Sequence, residues 1–353
     1  MTSPALPSTS RLRGLAATAD TARVRRSLVL LALALTLMIP VAVSGNAYLT
    51  LLVSLIAIYL IAVTGLDVVF GYSGQVSLGH AAFYGVGAYS VAILSGLNGW
   101  PVSASMLVGC VLAAGLAAVI GWPSVRLVHH FLALVTIGLG EIMRLTFLNA
   151  SDFTRGFRGI GQIPRPALPG LDTSNSTEFL YLIVVVAIAG IWLKENIGRS
   201  WWGRLFNGMR TNARAAEAFG APLIRARTIA FSVSAVYGAL AGGFYASLIS
   251  YVSPDTFTFA QSTLFFSMVL IGGAGTRFGP LIGVILLTFV AEFGQQFQFG
   301  QGLFYGLMII GVIMFLPRGI VGSLEDLYRD KVRAPARRSG RGVTIVSPEA
   351  EGE

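Results

Sequence analysis

The chain has 353 residues, of which 54% are hydrophobic and only 12% are charged; since soluble domains carry about a quarter charged residues, this composition excludes an ordinary soluble protein. The formal net charge of +9 could indicate a nucleic-acid-binding protein, but the basic residues lie in three blocks separated by long apolar stretches. These blocks, the N-terminal arm, residues 194–227 and residues 318–341, have the pattern of cytoplasmic loops under the positive-inside rule.

The N-terminal arm, residues 1–26, is rich in Ser, Thr, Ala and Arg and is predicted to be disordered in the cytoplasm. Residues 27–322 contain about ten apolar runs, and a membrane-spanning helix needs about 20 apolar residues. They predict an all-α membrane protein, a polytopic transmembrane helix bundle with broken, glycine-rich segments. The first run could be a signal peptide, but the arm before it is long and further runs follow at once, which favours an uncleaved span. The predicted spans are 27–44, 48–69, 81–97, 102–121, 128–148, 178–194, 228–250, 261–274, 280–297 and 302–316.

The distribution of basic residues agrees with this number of spans. With the arm in the cytoplasm, an even number of spans returns the polar tail, residues 323–353, to the same side. The same count places the basic loop 195–227 in the cytoplasm and the mixed-charge loop 149–177 outside, where we expect an ordered cap or docking surface. The eighth and ninth spans are short and are divided by the glycine-rich run from Gly272 to Pro280.

Glycines and polar side chains are concentrated after the second predicted span, from Gly65 to His80. Glycine weakens a helix by up to about 1 kcal/mol relative to alanine, and backbone groups freed within a membrane need partners in protein or water. The segment therefore predicts a broken helix. The break could line a solute path, or the small residues could allow close packing against another helix, particularly after His80. The candidate path residues in this segment are Tyr72, Ser73, Gln75, Ser77 and His80.

Two charged residues, Glu141 and Arg144, lie inside an otherwise apolar span. Residues three apart on a helix share a face and can pair. Pairing is favoured here, because a bare charge in a membrane span is costly. Two interpretations remain open: a structural ion pair that fixes helix packing, or a pair close to the translocation path.

The cytoplasmic loop contains a segment with strong helix signals at both ends. Asn212 is a good N-cap, Gly220 suits the position after the last turn, and Pro222 prevents continuation. This predicts a surface helix of about two turns. So short a helix is not stable alone in water, so it either rests on a partner protein or lies at the lipid headgroups, with its arginines close to anionic lipid.

No segment of the chain has the character of a catalytic or nucleotide-binding site. Asp255 lies beside the start of a predicted helix, and the glycine-rich run that follows lacks the Gly-Lys-Ser/Thr ending of a phosphate loop. The single cysteine, Cys110, lies in an apolar run, and His129 and His130 are adjacent at the inner end of a span. We therefore expect neither an enzyme nor a bound metal or cofactor.

Five segments carry a resemblance to a known family. They are GYSGQVSLGHAAF (71–83), GEIMR (140–144), RTNARAAEAFG (210–220), YVSPDTF (251–257) and IGGAGTRFGP (271–280). In this order they resemble the branched-chain amino-acid ABC transporter permeases, and the chain is most similar to the longer, M-type subunit. The similarity extends from about residue 48 to residue 322.

This resemblance implies an importer of the bacterial cytoplasmic (inner) membrane, with both termini in the cytoplasm. A second, related permease would share the translocation path, a periplasmic solute-binding protein would deliver the solute, and two cytoplasmic ATPases would bind the ATP. The segment 210–220 would then be the coupling helix that contacts an ATPase. The family's strict Glu-Ala-Ala order is absent from it. The residues implied in coupling are Arg210, Asn212, Ala216, Glu217 and Gly220.

A stand-alone carrier driven by an ion gradient is the alternative interpretation. Such carriers place acidic or histidine side chains near the middle of the membrane, and Asp67, Glu141 and Glu292 are the acidic candidates. The solute is not readable from the sequence: branched-chain amino acids are the default of the family, and other amino acids, urea and short amides are carried by relatives.

Overall fold

The computed structural model describes residues 38, 40–124, 129–167, 173–294, 314 and 319–323. Several predicted segments lie wholly or mostly outside these residues: the arm 1–26, the first and last spans 27–44 and 302–316, and the tail 323–353.

The described residues are mostly helical, which confirms an all-α membrane protein. Six helical segments are long and apolar enough to cross a membrane, and they coincide with the predicted second to seventh spans. Each of these helical segments overlaps a run of the sequence that its apolar composition predicts to be a span. The helices, numbered in chain order, are α1 (Ala47–Asp67), α2 (His80–Val91), α3 (Val102–Ser124), α4 (His129–Asn149), α5 (Ser151–Thr154), α6 (Ser176–Arg199), α7 (Trp201–Thr211), α8 (Ala213–Ala218), α9 (Leu223–Ile249), α10 (Phe259–Gly272) and α11 (Gly279–Gly294).

The predicted eighth and ninth spans form two short helices, α10 and α11, of 14 and 16 residues. At 1.5 Å per residue these helices are about 21–24 Å long, shorter than the roughly 30 Å hydrocarbon core. They pack against each other in close backbone contact: a Cβ on Gly272 would lie 1.9 Å from the carbonyl oxygen of Gly279. The pair is therefore a tight helical hairpin, and the total number of spans depends on residues outside the described part of the chain.

Helix α9 lies at the centre of the bundle, where it packs against α1, α2 and α3. Small residues permit this arrangement, since a Cβ on Gly87 of α2 would lie 1.8 Å from the carbonyl oxygen of Ala239 in α9. On the other side of the same crossing, a Cβ on Gly242 would lie 1.9 Å from the carbonyl oxygen of Tyr84. Close packing through small residues after His80 is thus confirmed.

The described part of the loop 149–177 is an ordered cap. After the short helix α5 and a 3₁₀ turn, strand β1 (Ile160–Gly161) pairs antiparallel with strand β2 (Tyr251–Val252), which directly follows α9. Arg155 adopts a left-handed conformation, with φ of 58°, at the turn between α5 and the 3₁₀ turn. The cap therefore joins the end of α4 to the end of α9, as the expectation of an ordered cap requires.

Candidate functional site

The break predicted between α1 and α2 is present. Helix α1 widens into a π-turn, Val68–Tyr72, the chain is irregular over residues 73–79, and α2 begins at His80. Side chains from other helices bond the freed backbone: the Thr136 hydroxyl accepts the amide of Leu78 at 3.0 Å, and the Ser262 hydroxyl accepts the amide of Ala81 at 2.9 Å. This agrees with the requirement that irregular backbone at membrane depth is satisfied by protein.

The candidate path residues of the break all point into the interior of this chain. The Ser73 hydroxyl donates to the carbonyl of Val69 at 2.7 Å, and the Gln75 amide donates to the Ser73 hydroxyl at 2.7 Å. Ser77 is also buried, and its hydroxyl has no hydrogen-bond partner among the described residues. The exposed fractions are 8% for Tyr72, 2% for Ser73, 2% for Gln75, 1% for Ser77 and 0% for His80.

His80 is held by the core of the protein. Its Nε2 lies 3.1 Å from the carbonyl oxygen of Ala62, and its Nδ1 lies 3.4 Å from the hydroxyl of Ser234. The rings of Phe83 and Phe265 meet the imidazole edge-on. These contacts fix the junction between the break and α2 against α1, α9 and α10.

A buried ion pair lies at the start of the break. The Lys194 ammonium is 2.5 Å from Oδ2 of Asp67, and the two side chains are 1% and 0% exposed. Oδ1 of Asp67 accepts the backbone amide of Gly275 at 2.7 Å, and the ammonium also donates to the carbonyl of Thr276 at 2.9 Å. Lys194 is both the last residue of a predicted span and the first of the basic block; it lies within α6, which continues to Arg199, and its side chain is buried rather than exposed in a loop.

The sequence indicates that Asp67 needs a partner, but it does not identify that partner. An aspartate inside an apolar span requires a compensating partner, and no cation lies three or four residues from Asp67 on its own helix. The partner therefore had to come from another element. Spacing along the chain gives no means of choosing which one.

The glycine-rich run between α10 and α11 lies directly against the break. A Cβ on Gly71 would be 2.4 Å from the amide nitrogen of Gly275, and a Cβ on Gly275 would be 2.8 Å from the carbonyl oxygen of Gly71. Gly275 also has a φ of +78°, a conformation that favours glycine. The guanidinium of Arg210 donates to the same Gly71 carbonyl. Two segments distant in sequence are thus in backbone contact.

The predicted short helix of the loop 195–227 is confirmed as α8. The side chain of Asn212 accepts the amide of Ala215 at 3.0 Å, and Gly220 has the left-handed φ of +80° that terminates the helix. The amide of Ala221 closes the last turn on the carbonyl of Ala216 at 3.0 Å. No residue of α8 is buried, and Phe219, just after it, is 93% exposed.

Sequence reasoning missed the helix that precedes α8. Most of the predicted loop is helical, and α7 buries one face through Gly203, Phe206 and Met209. Trp201 and Trp202 lie at its start, with Trp201 53% exposed. The amphipathic spacing of these residues was the available signal. Within this helix, Arg210 reaches back to the break.

Glu141 and Arg144 pair as predicted. Nη2 of Arg144 lies 2.6 Å from Oε1 of Glu141, and Nε donates to both carboxylate oxygens at 3.1 Å. Their side chains are 48% and 25% exposed on the outer surface of α4. Together with the exposed Ile142 they face away from the core of this chain. Among the described residues, no hydrogen bond or ion pair links them to the break.

The acidic candidates for an ion-coupled carrier all have polar partners. Asp67 pairs with Lys194, Glu141 pairs with Arg144, and Glu292 accepts a hydrogen bond from the hydroxyl of Tyr48. Among the described residues, no group of three or more histidine, cysteine and acidic side chains could hold a metal ion.

Comparisons with known proteins place the chain in a family. Residues 48–316 match the family described as branched-chain amino acid transport system / permease component. The high-affinity branched-chain amino acid transport system permease protein LivM of Salmonella typhimurium is 33% identical over 290 residues, which cover 75% of this chain and 68% of that protein. LivM of Escherichia coli is 31% identical over 291 residues, covering 76% and 68%.

The related permease protein LivH of Escherichia coli is 24% identical over 308 residues, covering 77% of this chain and 94% of LivH. No solved structure matches. The family match covers most of the chain and includes both the helix break and the exposed helix α8. The resemblance of the five sequence segments is confirmed, and the chain belongs to the permease components of branched-chain amino acid transport systems.

Proposed function

We propose that the chain is the transmembrane permease subunit of an ATP-driven importer for branched-chain or related amino acids. The match of residues 48–316 to the permease family carries this proposal. A second, related permease completes the translocation path, and a periplasmic binding protein delivers the solute. The complex lies in the bacterial inner membrane, with both termini of this chain in the cytoplasm.

Helix α8 is the proposed contact with a cytoplasmic ATPase. Its lack of buried residues and the 93% exposure of Phe219 support this role, because an isolated helix of six residues is not stable in water without a partner surface. Exposed aromatic side chains are frequent anchors of protein interfaces. Asn212 and Gly220 define the ends of the helix, while Glu217 adds a charge to its surface.

The break is the proposed part of this subunit that changes conformation as the path opens. Its irregular backbone, its π-turn and the unpaired hydroxyl of Ser77 support this assignment, since broken helices are common at solute sites of transporters. Tyr72, Ser73, Gln75 and His80 are then residues that shape the path or its gate.

The outer face of α4 is the proposed contact with the second permease. Glu141 and Arg144 are partly exposed inside a span, and charged side chains in membrane spans face a bundle interior or a water-filled cavity rather than lipid. A partner helix or the shared path would remove this pair from hydrocarbon.

Transport of leucine by reconstituted proteoliposomes tests the proposed function. We expect radiolabelled leucine uptake to require ATP, both permeases, the ATPases and the binding protein, and to fall about tenfold or more when the ATPases are omitted. Uptake should persist when ionophores collapse proton and sodium gradients. Uptake by this chain alone, driven by an ion gradient, would establish the secondary carrier instead, although the acidic candidates already have partners.

The substitutions Glu217→Arg and Phe219→Asp test the coupling helix. Both place an unfavourable charge on the proposed ATPase contact, so uptake and co-purification of the ATPases should each fall about tenfold or more. Phe157→Asp is the matched control: Phe157 is 74% exposed on the cap, on the proposed outer side. The assignment fails if ATPases co-purify normally with both variants, or if a thiol introduced at position 219 reacts with an impermeant reagent in intact cells.

A further inference from the structure

We propose that Asp67, Lys194 and Arg210 form a tether that transmits movement of helix α8 to the helix break. This inference rests on the proposed function, because it assumes that α8 is displaced by an ATPase. The three residues act as positioning residues: they hold the break in register with the helix that precedes α8, and none of them needs to touch the solute.

Arg210 forms the cytoplasmic end of the tether. It lies in the last turn of α7, two residues before Asn212, which caps α8. Its side chain passes over the backbone of Gly74, where an added Cβ would lie 3.0 Å from Cγ of Arg210. Its guanidinium then donates to the carbonyl of Gly71. A displacement of α8 therefore reaches the break through one side chain.

The π-turn makes the Gly71 carbonyl available for this contact. Beyond the π-turn, the amide of Gly74 bonds to the carbonyl of Phe70, and the amide of Gln75 bonds to that of Val69. These bonds skip the Gly71 carbonyl, which accepts from Arg210 instead. The irregular hydrogen bonding of the break and the contact with α7 are thus parts of one arrangement.

Asp67 and Lys194 form the inner end of the tether, which is the end buried within the helix bundle. The carboxylate binds the Lys194 ammonium with one oxygen and the amide of Gly275 with the other, while the ammonium also binds the carbonyl of Thr276. These contacts join α1, α6 and the glycine-rich run between α10 and α11. The backbone contact between Gly71 and Gly275 places this junction beside the carbonyl that Arg210 holds.

Stability alone does not account for the inner end. Replacing a buried ion pair with apolar residues of similar volume is often neutral or stabilising, because desolvation of two charges offsets their attraction. The ion pair does provide directional contacts that an apolar pair lacks, and these fix the loop at Gly275 and Thr276 relative to α1. A displacement of α8 can be transmitted to the break only if these elements keep a fixed register.

The complete complex in proteoliposomes, assayed with radiolabelled leucine, tests the cytoplasmic end of the tether. The substitution Arg210→Gln should lower the leucine imported per ATP hydrolysed by about tenfold, with the ATPases still co-purifying. Arg204→Gln is the matched control: Arg204 lies on the same helix, is exposed, and donates to the carbonyl of Arg199 at 3.2 Å. Arg204→Gln should change the leucine imported per ATP hydrolysed by less than about twofold.

Two results with Arg210→Gln would overturn the tether. One is a ratio indistinguishable from that of the Arg204 control. The other is loss of the ATPases from the purified complex, which would assign Arg210 to the ATPase contact itself. If the wild-type complex imports no leucine with ATP, the proposed function fails rather than the tether.

The double substitution Asp67→Leu/Lys194→Met tests the inner end. It keeps charge balance and approximate volume but removes the bonds to Gly275 and Thr276, so the leucine-to-ATP ratio should fall about tenfold while the protein accumulates. Asp67→Asn/Lys194→Gln retains polar contacts and should recover part of the ratio. A wild-type ratio in the apolar double variant would overturn the tether. If that variant does not accumulate, the leucine imported per ATP hydrolysed by the Arg210→Gln complex decides whether the tether exists.

Discussion

The substitution Lys194→Met is expected to leave little folded protein in the membrane. It retains the Asp67 carboxylate, which is 0% exposed, and removes its compensating charge. Removing one partner of a buried ion pair costs about 3–5 kcal/mol, because the remaining charge is neither solvated nor paired. We expect a much lower yield of monodisperse protein in detergent and a large decrease in the melting temperature of what remains.

The matched control uses the ion pair between Glu141 and Arg144. Arg144→Met also removes a cation from a carboxylate, but Glu141 is 48% exposed on the outer surface of α4, so its charge is not enclosed in the core of this chain. The melting temperature of the isolated chain should therefore change much less. Equal decreases for Lys194→Met and Arg144→Met would show that burial of the Asp67 pair does not control stability, as would failure of Asp67→Leu to restore the yield of Lys194→Met.

The substitution Gly87→Ala is expected to be strongly destabilising although it adds only one methyl group. That methyl would lie 1.8 Å from the carbonyl oxygen of Ala239, a backbone atom that no rotamer change can move. Helices α2 and α9 would have to separate, and overpacking of this kind costs about 1–3 kcal/mol, occasionally more. The thermal unfolding of detergent-solubilised protein, followed by the decay of the monodisperse peak, measures the loss.

The same substitution at Gly115 provides the control. Gly115 lies within α3, and a Cβ there would meet nothing within 4 Å. Alanine is favoured over glycine in a helix by about 1 kcal/mol, so Gly115→Ala should keep or raise the melting temperature. The interpretation of the α2–α9 crossing is wrong if both variants shift the melting temperature in the same direction by the same amount.

Most of the fold was predictable because its signals are local. The six long spans follow from apolar runs of about 20 residues, and the break follows from the density of glycine between Gly65 and His80. The ends of α8 follow from Asn212 and Gly220, whose conformational preferences act within one turn. Helix α7 was missed because Gly203 and Gly208 lower its helix propensity, although the spacing of Phe206 and Met209 is amphipathic.

The candidate site was predictable only where its partners lie on one helix. The pair of Glu141 and Arg144 was expected because three residues separate them. The assignment of Tyr72 to His80 to a break was correct, but periodicity did not predict that these side chains point into the interior. The path and coupling roles of these residues remain predictions that the transport experiments above will test.

The sequence by itself determined the membrane-spanning character of the chain, the position of the break and the exposed helix α8, since hydropathy, helix propensity and capping act over a few residues. The tertiary structure alone decided which residues meet across the bundle. Lys194 reaches Asp67 across 127 positions, and Arg210 reaches Gly71 across 139. Such contacts depend on how whole helices are placed relative to one another, and glycine at Gly71 and Gly275 lets the backbones approach closely enough for them to form.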